Sequence, residues 1–200
     1  VEADDELADV ALSFNAMAGD LEKARGLEIE SERIEGELEL ARQIQNRLLP
    51  VELPTIPRCE VAGRSLPARQ VGGDYFDAVH LGGDRVALVI ADVSGKGVPA
   101  ALLMSSFRAS LLSADIDREG PALTLARVNA FLHNSVEPGR FVTAFLAVLH
   151  AATGRLVYSN AGHNPPMLLR RGAEDPHLLR QGGLVLGLFG TTVYRQAETV

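Results

Sequence analysis

Apolar side chains recur in steps of three and four along residues 4–49: Leu7, Val10, Phe14, Met17, Leu21, then Leu27, Ile34, Leu38, Ala41, Ile44 and Leu48, with no proline among them. That spacing predicts one long amphipathic helix with charged outer faces. The step from Leu21 to Leu27 falls one residue short of a heptad, so the apolar seam shifts phase near Gly26. Shifts of this kind locally rewind a coiled coil. So narrow a stripe, with glycines at 19, 26 and 36, fits a parallel dimeric signalling helix better than a helix packed on its own domain. Pro50, Pro54 and Pro57 end it and open a second unit.

Beyond the prolines the pattern changes to short β-branched runs. Strands are predicted at 59–66, 71–80 and 85–92, helices at 99–113 and 121–135, then strands at 141–150, 155–161 and 166–170, with weaker ones near 177–180 and 193–200. Pro99 and Pro121 suit first-turn helix positions. Hairpins with two consecutive helices inserted between them indicate an α+β domain rather than alternating parallel units. Between the second and third strands, Leu81-Gly-Gly-Asp-Arg85 carries the glycines of a tight turn. A three-residue loop at 82–84 sets Asp74 opposite Asp92 on one face; a two-residue loop pairs Asp74 with Ala91 and sends the acids to opposite faces.

Composition narrows the possibilities. The chain has 200 residues, 46% of them apolar, as an ordinary globular core requires, and the longest apolar run, 86–91, is far too short to span a bilayer. The single cysteine, Cys59, excludes an internal disulfide framework and fits a reducing cytoplasm. Cys59 to Arg64 is one residue short of the thiol-phosphatase spacing, which leaves Cys59 as a small strand residue. The net charge of −7 is concentrated at the start, where residues 1–49 hold 13 acids against 5 bases. With no basic face remaining, no nucleic-acid partner is expected.

Asp74 in Val71-Gly-Gly-Asp-Tyr-Phe-Asp77 and Asp92 in Ala91-Asp-Val-Ser-Gly-Lys-Gly97 carry the candidate chemistry. Carboxylates directly opposite one another, with Cβ atoms about 5 Å apart, destabilise a strand pair unless neutralised. Two readings stand: strand-end acids bonded to turn amides, or ligands to a hard cation such as magnesium, manganese or calcium. In the second, the Val93 carbonyl adds an oxygen, and Gly72, Gly73, Gly95 and Gly97 allow close backbone approach. Two divalent ions at such a site could activate a water for attack on phosphorus. Lys96 belongs to no Walker motif, because the required glycine falls at Ile90. His163 and Asn164, in Asn160-Ala-Gly-His-Asn-Pro-Pro166, read first as loop-shaping residues, with a metal role for His163 as the lesser alternative. Asp77 and Asp84 read as surface or turn acids, Asp77 also as a distant candidate for the outer shell of the site. Arg69 reads first as an exposed strand arginine, with a phosphate contact as the lesser alternative.

At these residues the sequence resembles the stage II sporulation protein E type of phosphatase, the bacterial branch of the protein phosphatase 2C-like (PPM) metal-dependent serine/threonine phosphatases. Five ordered blocks carry the resemblance: Leu40 to Pro50, Pro67 to Asp77, Ala91 to Ala100, Phe141 to Phe145 and Asn160 to Pro166. It implies an α+β sandwich of two antiparallel sheets flanked by helices, and a centre of two Mn2+ or Mg2+ ions held by Asp74, Asp92 and the Val93 carbonyl. The implied substrate is phosphoserine or phosphothreonine on a regulatory protein of the anti-anti-sigma factor type. Further aspartates, one from a Thr-Asp-Gly type motif, complete such sites; none appears by Val200, so the chain is expected to be a fragment holding part of the centre.

Residues 5–21 resemble the second helix of a HAMP signalling module. The expected organisation is therefore a HAMP-like end at 1–24, a coiled-coil linker at 25–50 and a partial phosphatase domain at 51–200. A homodimer is expected, with the cytoplasmic domain joined to the membrane only through an upstream sensor that this chain lacks. The rival expectation is a non-catalytic phosphatase-like module that binds a partner and dimerises through its coiled coil.

Overall fold

A computed structural model describes residues 3–50, 52–65 and 72–200, with side chains omitted for 3–9 and Ala11. Arg69 and Val71 lie outside the described residues. The chain divides into two units, Val1–Ala41 and Arg42–Val200.

The first unit is helix throughout its described part, within α1 (Ala3–Asn46). Arg33 bonds Glu30 at 2.7 Å and Glu37 at 3.0 Å, the one-turn spacings that support a solvated helix face. Large apolar side chains of this unit are uncovered: Phe14 is 62% exposed and Leu27 74%.

In the second unit, β1 (Tyr75–Gly82), β2 (Arg85–Val93), β3 (Val142–His150) and β4 (Arg155–Ala161) form an antiparallel meander, interrupted between β2 and β3 by α2 (Val98–Leu112) and α3 (Ile116–Ser135). β7 (Gly182–Gly183) adds to β4 in parallel, and β8 (Ala197–Thr199) pairs with β4 antiparallel. β5 (Met167–Leu168) and β6 (His177–Leu178) make a separate two-stranded sheet. The fold is α+β as the sequence indicates, and the second sheet amounts to that short pair among the described residues. The predicted helix start at Pro121 corresponds to a kink inside α3, where Gly120 has φ 71°. A first turn capped by the Asp115 side chain precedes it.

Alternation divides the large sheet into two chemically different faces. Tyr75, Val89, Ala91, Val142, Ala144, Leu146 and Val148 are buried together with Met104, Phe107 and Leu111 of α2 and Leu125, Val128 and Leu132 of α3. Each such side chain contributes about 1.5–3 kcal/mol by leaving water, so this face holds the unit together. Among the described residues the opposite face is covered in two places. Ile56, with Leu53, Cys59 and Val61, packs on Ala78 and Val86, and Leu168 and Leu179 pack on Phe145 and Tyr158. Ile90, on the same face, remains 45% exposed.

The strand predicted at 59–66 does not form over the described residues 59–65. Arg58 takes a left-handed φ of 65°, which folds Cys59 back so that its N–H donates to the Ile56 carbonyl at 3.1 Å. Cys59 therefore makes only an isolated bridge to Ile56, and residues 60–65 join no ladder. Gly63 lies against the Phe76 ring, where a Cβ would collide.

The parallel strand β7 depends on a missing side chain, since a Cβ on Gly182 would collide with the backbone of Asn160, including its carbonyl oxygen. Gly182→Ala is expected to destabilise the second unit by about 3 kcal/mol, the upper range for steric overpacking, measured by urea denaturation; a loss under about 0.5 kcal/mol would contradict this packing account.

Candidate metal and phosphate site

The register of the β1–β2 hairpin brings the acid pair together. Its turn is shorter than a three-residue loop: Gly82 pairs with Arg85, leaving Gly83 and Asp84 at the tip, and the register slips between His80 and Gly82. Gly82 and Gly83 have φ of 104° and 60°, conformations that suit glycine. A two-residue turn plus this irregularity gives the same offset as a three-residue loop, so Tyr75 faces Ala91. Asp74, just before β1, thus comes up beside Asp92, on the face turned away from the helices. The next cross-strand partner of Asp92 is Thr143, which extends the polar row onto β3.

Electrostatics confirm the proximity. The Asp74 carboxyl is pushed above the usual carboxylate range, first by burial and then by the charge and the hydrogen-bonding oxygen of Asp92, with His163 acting in the opposite sense. His163 is held below its ordinary value by burial, partly offset by Asp92 and Asp74. Its Nδ1 shares a 2.9 Å hydrogen bond with the Thr143 hydroxyl, and that hydroxyl donates to the Asp92 carbonyl at 3.3 Å. With its one proton so used, Thr143 accepts from Nδ1–H, which leaves the lone pair on Nε2.

What the other acids do separates these two from structural aspartates. Asp84 accepts from Ala152 N–H at 3.0 Å, and Asp77 accepts from Ala78 N–H at 2.8 Å and from the Tyr75 hydroxyl at 2.7 Å. Asp77 also alternates with Asp74 onto the helix-side face, which removes it as an outer-shell candidate for this site. Among the described residues, neither Asp74 nor Asp92 receives a side-chain hydrogen bond from a backbone amide. Both acids are exposed, and no turn amide among the described residues holds them, which favours the cation reading over strand-end acids tied to turn amides.

The backbone around them is well anchored. A Cβ on Gly73 would lie 2.9 Å from the Val93 carbonyl oxygen, so glycine lets the two chain segments meet beside the acids. Ser94 accepts from Phe141 N–H through its hydroxyl and donates its own N–H to the Phe141 carbonyl, each at 2.9 Å. Gly95, at φ 99°, lies under the Arg140 guanidinium, and Gly97, at φ 74°, caps α2. Lys96 is exposed, with no described partner at the acids. The His163 loop is set by buried Asn160, which accepts from His163 N–H at 2.8 Å and donates to the His163 carbonyl at 3.0 Å. Gly162 supplies the left-handed residue of that turn, at φ 69°, and Asn164 is exposed.

Two carboxylates, a backbone carbonyl and close glycine approach form an all-oxygen donor set that fits a hard divalent cation. Among the described residues no group of three or more histidine, cysteine or acidic side chains gathers at ligating distance. The acids open onto a cleft of about 540 Å³ on the uncovered sheet face, lined also by Phe76, Ile90, Phe145 and Pro166. Sequence reasoning passed over Thr143 and Asn160, although both lie inside blocks it singled out, and Gln45, whose side-chain amide accepts from Gly72 N–H at 3.0 Å.

Comparison with known proteins identifies the family. Residues 82–200 match the family described as Stage II sporulation protein E (SpoIIE). The chain is 30% identical to the phosphoserine phosphatase RsbU of Bacillus subtilis over 97% of its own length and 57% of that protein. It is 31% identical to Protein IcfG of Synechocystis over 95% of its length and 34% of that protein. The chain thus spans about half, or less, of these relatives. Among solved structures, the RsbU and RsbW domains of Rv1364c from Mycobacterium tuberculosis share 32% identity at a TM-score of 0.55, covering 66% of this chain and 37% of that one. The SiaA-PP2C domain of Pseudomonas aeruginosa shares the fold at a TM-score of 0.64 and 21% identity, covering 84% of this chain and 66% of that one. With the profile matching more than half of its length, and the paired acids standing where the β1–β2 hairpin delivers them, the chain belongs to the stage II sporulation protein E family.

Proposed function

We propose that this chain carries part of a metal-dependent protein serine/threonine phosphatase that acts on phosphoserine or phosphothreonine of a regulatory protein of the anti-anti-sigma factor type. The observation that carries the reading is the pair Asp74 and Asp92, side by side and without amide donors among the described residues, in a family that includes a phosphoserine phosphatase. Asp74, Asp92 and the Val93 carbonyl would hold Mn2+ or Mg2+, with two ions expected once the ligand set is complete. Bound there, the cation supplies a nucleophile from water at neutral pH and offsets the charge of the phosphoryl oxygens. Thr143 and His163 border the same spot, with His163 directing Nε2 as a neutral acceptor. Arg69 is kept as a proposed phosphate contact.

Regulation through the N-terminal helix is the second part of this proposal. The uncovered apolar positions of α1 in the first unit, Phe14 and Leu21 among them, support pairing with a second copy of the chain. The HAMP-like residues 5–21 support an upstream sensor in the intact protein, which would then be anchored in the membrane with this part in the cytoplasm. The non-catalytic alternative rests on the count of acids, two among the described residues where a complete centre needs more.

Three outcomes are expected. Phosphate release from a phosphoserine protein by the full-length protein should require Mn2+ or Mg2+, and Asp74→Asn or Asp92→Asn should lower kcat at least ~100-fold, beyond what outer-shell changes at metal sites do. Turnover unaltered in both variants would leave the non-catalytic module standing.

Without divalent ions, the raised Asp74 pKa favours the folded state fully below the unfolded carboxylate value, and that contribution is lost as pH rises through the folded value. At pH 7 the ionised pair therefore strains the apo protein. Asp92→Asn should raise the melting temperature in EDTA by about 1–3 °C and flatten its pH dependence above the ordinary aspartate pKa of about 3.9. A lower melting temperature in EDTA would show that the acids are not in repulsive contact.

For the helix, Phe14→Glu combined with Leu21→Glu should convert a dimer to a monomer in light scattering, since charge at seam positions opposes association. A double variant of unchanged mass would remove the helix from the interface.

A further inference from the structure

The β2–β3 ladder runs in register as far as Val93 and Val142. One position further, Ser94 and Phe141 close the ladder by a different device. Ser94 N–H donates to the Phe141 carbonyl, and Phe141 N–H donates to the Ser94 hydroxyl oxygen, each at 2.9 Å. An ordinary hydrogen-bonded pair of antiparallel strands exchanges both bonds between main-chain groups. Here the Ser94 side chain takes the place of its own carbonyl. Val142 turns its main chain the other way, exchanging bonds with Leu186 at 3.0 and 2.8 Å. Val93 and Val142 are therefore a pair without mutual hydrogen bonds, and the Ser94 and Phe141 pair is what holds this end of the ladder.

Peptide planarity gives this arrangement a direction. The N–H and C=O of one trans peptide point opposite ways, so a Ser94 N–H held on the β3 side sends the Val93 carbonyl toward the β1 side of β2. There it meets Gly73, on which a Cβ would lie 2.9 Å from that oxygen, and Asp74 follows Gly73. The chain must also leave the sheet at once. Gly95 takes φ 99°, with an Arg140 guanidinium nitrogen 2.8 Å from where its Cβ would stand, and Gly97 caps α2. A bond made by the Ser94 carbonyl would hold the next peptide in the ladder at the point where the chain turns out. The hydroxyl separates the two tasks: Phe141 stays in register while the main chain departs.

We propose that Ser94 is a positioning residue whose hydroxyl stands in for its main-chain carbonyl at the end of the β2–β3 ladder, keeping the Val93 carbonyl aimed beside Asp74 and Asp92 as a donor to a divalent cation. The inference rests on the metal reading above and deepens it by naming what fixes the backbone member of the oxygen set. Ser94 acts through Phe141 and through the Val93–Ser94 peptide, not as a ligand itself. Without the hydroxyl, Phe141 N–H loses its acceptor and the pair keeps one of its two bonds, so the peptide that carries the Val93 carbonyl is free to swing. A cation then has to order that donor at the expense of binding.

The experiment compares the chain with Ser94→Ala, which removes the hydroxyl, and Ser94→Thr, which keeps it on a residue suited to extended backbone. Asp74→Asn is the control. Amide exchange by NMR should speed up about tenfold or more at Phe141 in Ser94→Ala while Leu146 and Val148 of β3 keep their protection, since local opening and global unfolding are separate events. Mn2+ affinity by calorimetry should fall about tenfold in Ser94→Ala, the lower range for residues that orient metal ligands, and stay within about threefold in Ser94→Thr. At saturating Mg2+ the Val93 carbonyl carbon resonance should be displaced in the parent and in Ser94→Thr, and displaced by less in Ser94→Ala. If Asp74→Asn abolishes Mn2+ binding but Ser94→Ala binds as the parent does, the role of Ser94 is overturned and the metal site stands. Equal losses in Ser94→Thr and Ser94→Ala would show that the hydroxyl is not the cause, and the proposal fails. Faster exchange throughout β3 in Ser94→Ala would also overturn it, because Ser94 would then serve general stability. Should the parent bind no Mn2+, the metal reading fails and this proposal fails with it.

Discussion

A one-residue slip in the hairpin between His80 and Gly82 decides which side of the sheet receives Asp74. Strand side chains alternate, so a plain two-residue turn without that irregularity would place Asp74 toward α2 and α3, among Ala91, Val93 and Val142. A carboxylate there would be an unpaired charge in an apolar core, at a penalty of several kcal/mol. With the slip, apolar positions of β1 and β2 face the helices and the two acids face open solvent together. Fold stability and site chemistry thus depend on one register, enforced by positive φ at Gly82 and Gly83.

That register also explains the division of labour between the two faces. The helix side is sealed by Met104, Phe107, Leu125, Val128 and Leu132, all fully buried, and carries the stabilising burial. The other face is only partly covered, which leaves the cleft beside Asp74 and Asp92. Its polar groups occur at strand ends, where Asn160 closes the His163 turn and Gly182 lets β7 approach β4. A site at the ends of strands inherits rigidity from the sheet without interrupting its core.

How much of this the sequence reveals depends on the range of the interaction. The paired acids, both helices, the meander of four strands and the helix restart at Pro121 follow from local periodicity and turn chemistry, which are written in neighbouring residues. The hairpin offset is recovered although its anatomy is not, because a short turn with a bulge and a three-residue loop are equivalent two residues away. The strand expected at 59–66 shows the opposite limit: over the described residues 59–65 no ladder forms, because the left-handed turn at Arg58 commits Cys59 to Ile56. β7 is two residues of glycine, with no periodicity to read. Gln45 shows no sign of its partner either, since nothing local distinguishes it from the glutamine two positions earlier. Its role appears only when Gly72 arrives 27 positions later.

The supports of the site share one property. Gln45 holds Gly72, Ser94 and Phe141 bond each other, and Thr143 donates to the Asp92 carbonyl, so every one of these bonds ends on backbone. The carboxylate oxygens of Asp74 and Asp92 are left unengaged by these supports, while Asp77 and Asp84 spend theirs on amides. Donors aimed at the acids would have lowered their mutual repulsion in the empty protein, but would also have competed with a cation for the same lone pairs. Leaving the oxygens free would keep the repulsion as a standing strain for a divalent ion to relieve on binding, and fixing the backbone would spare that ion the entropy of assembling its ligands. The same two choices make the pair sensitive to anything that loosens its frame.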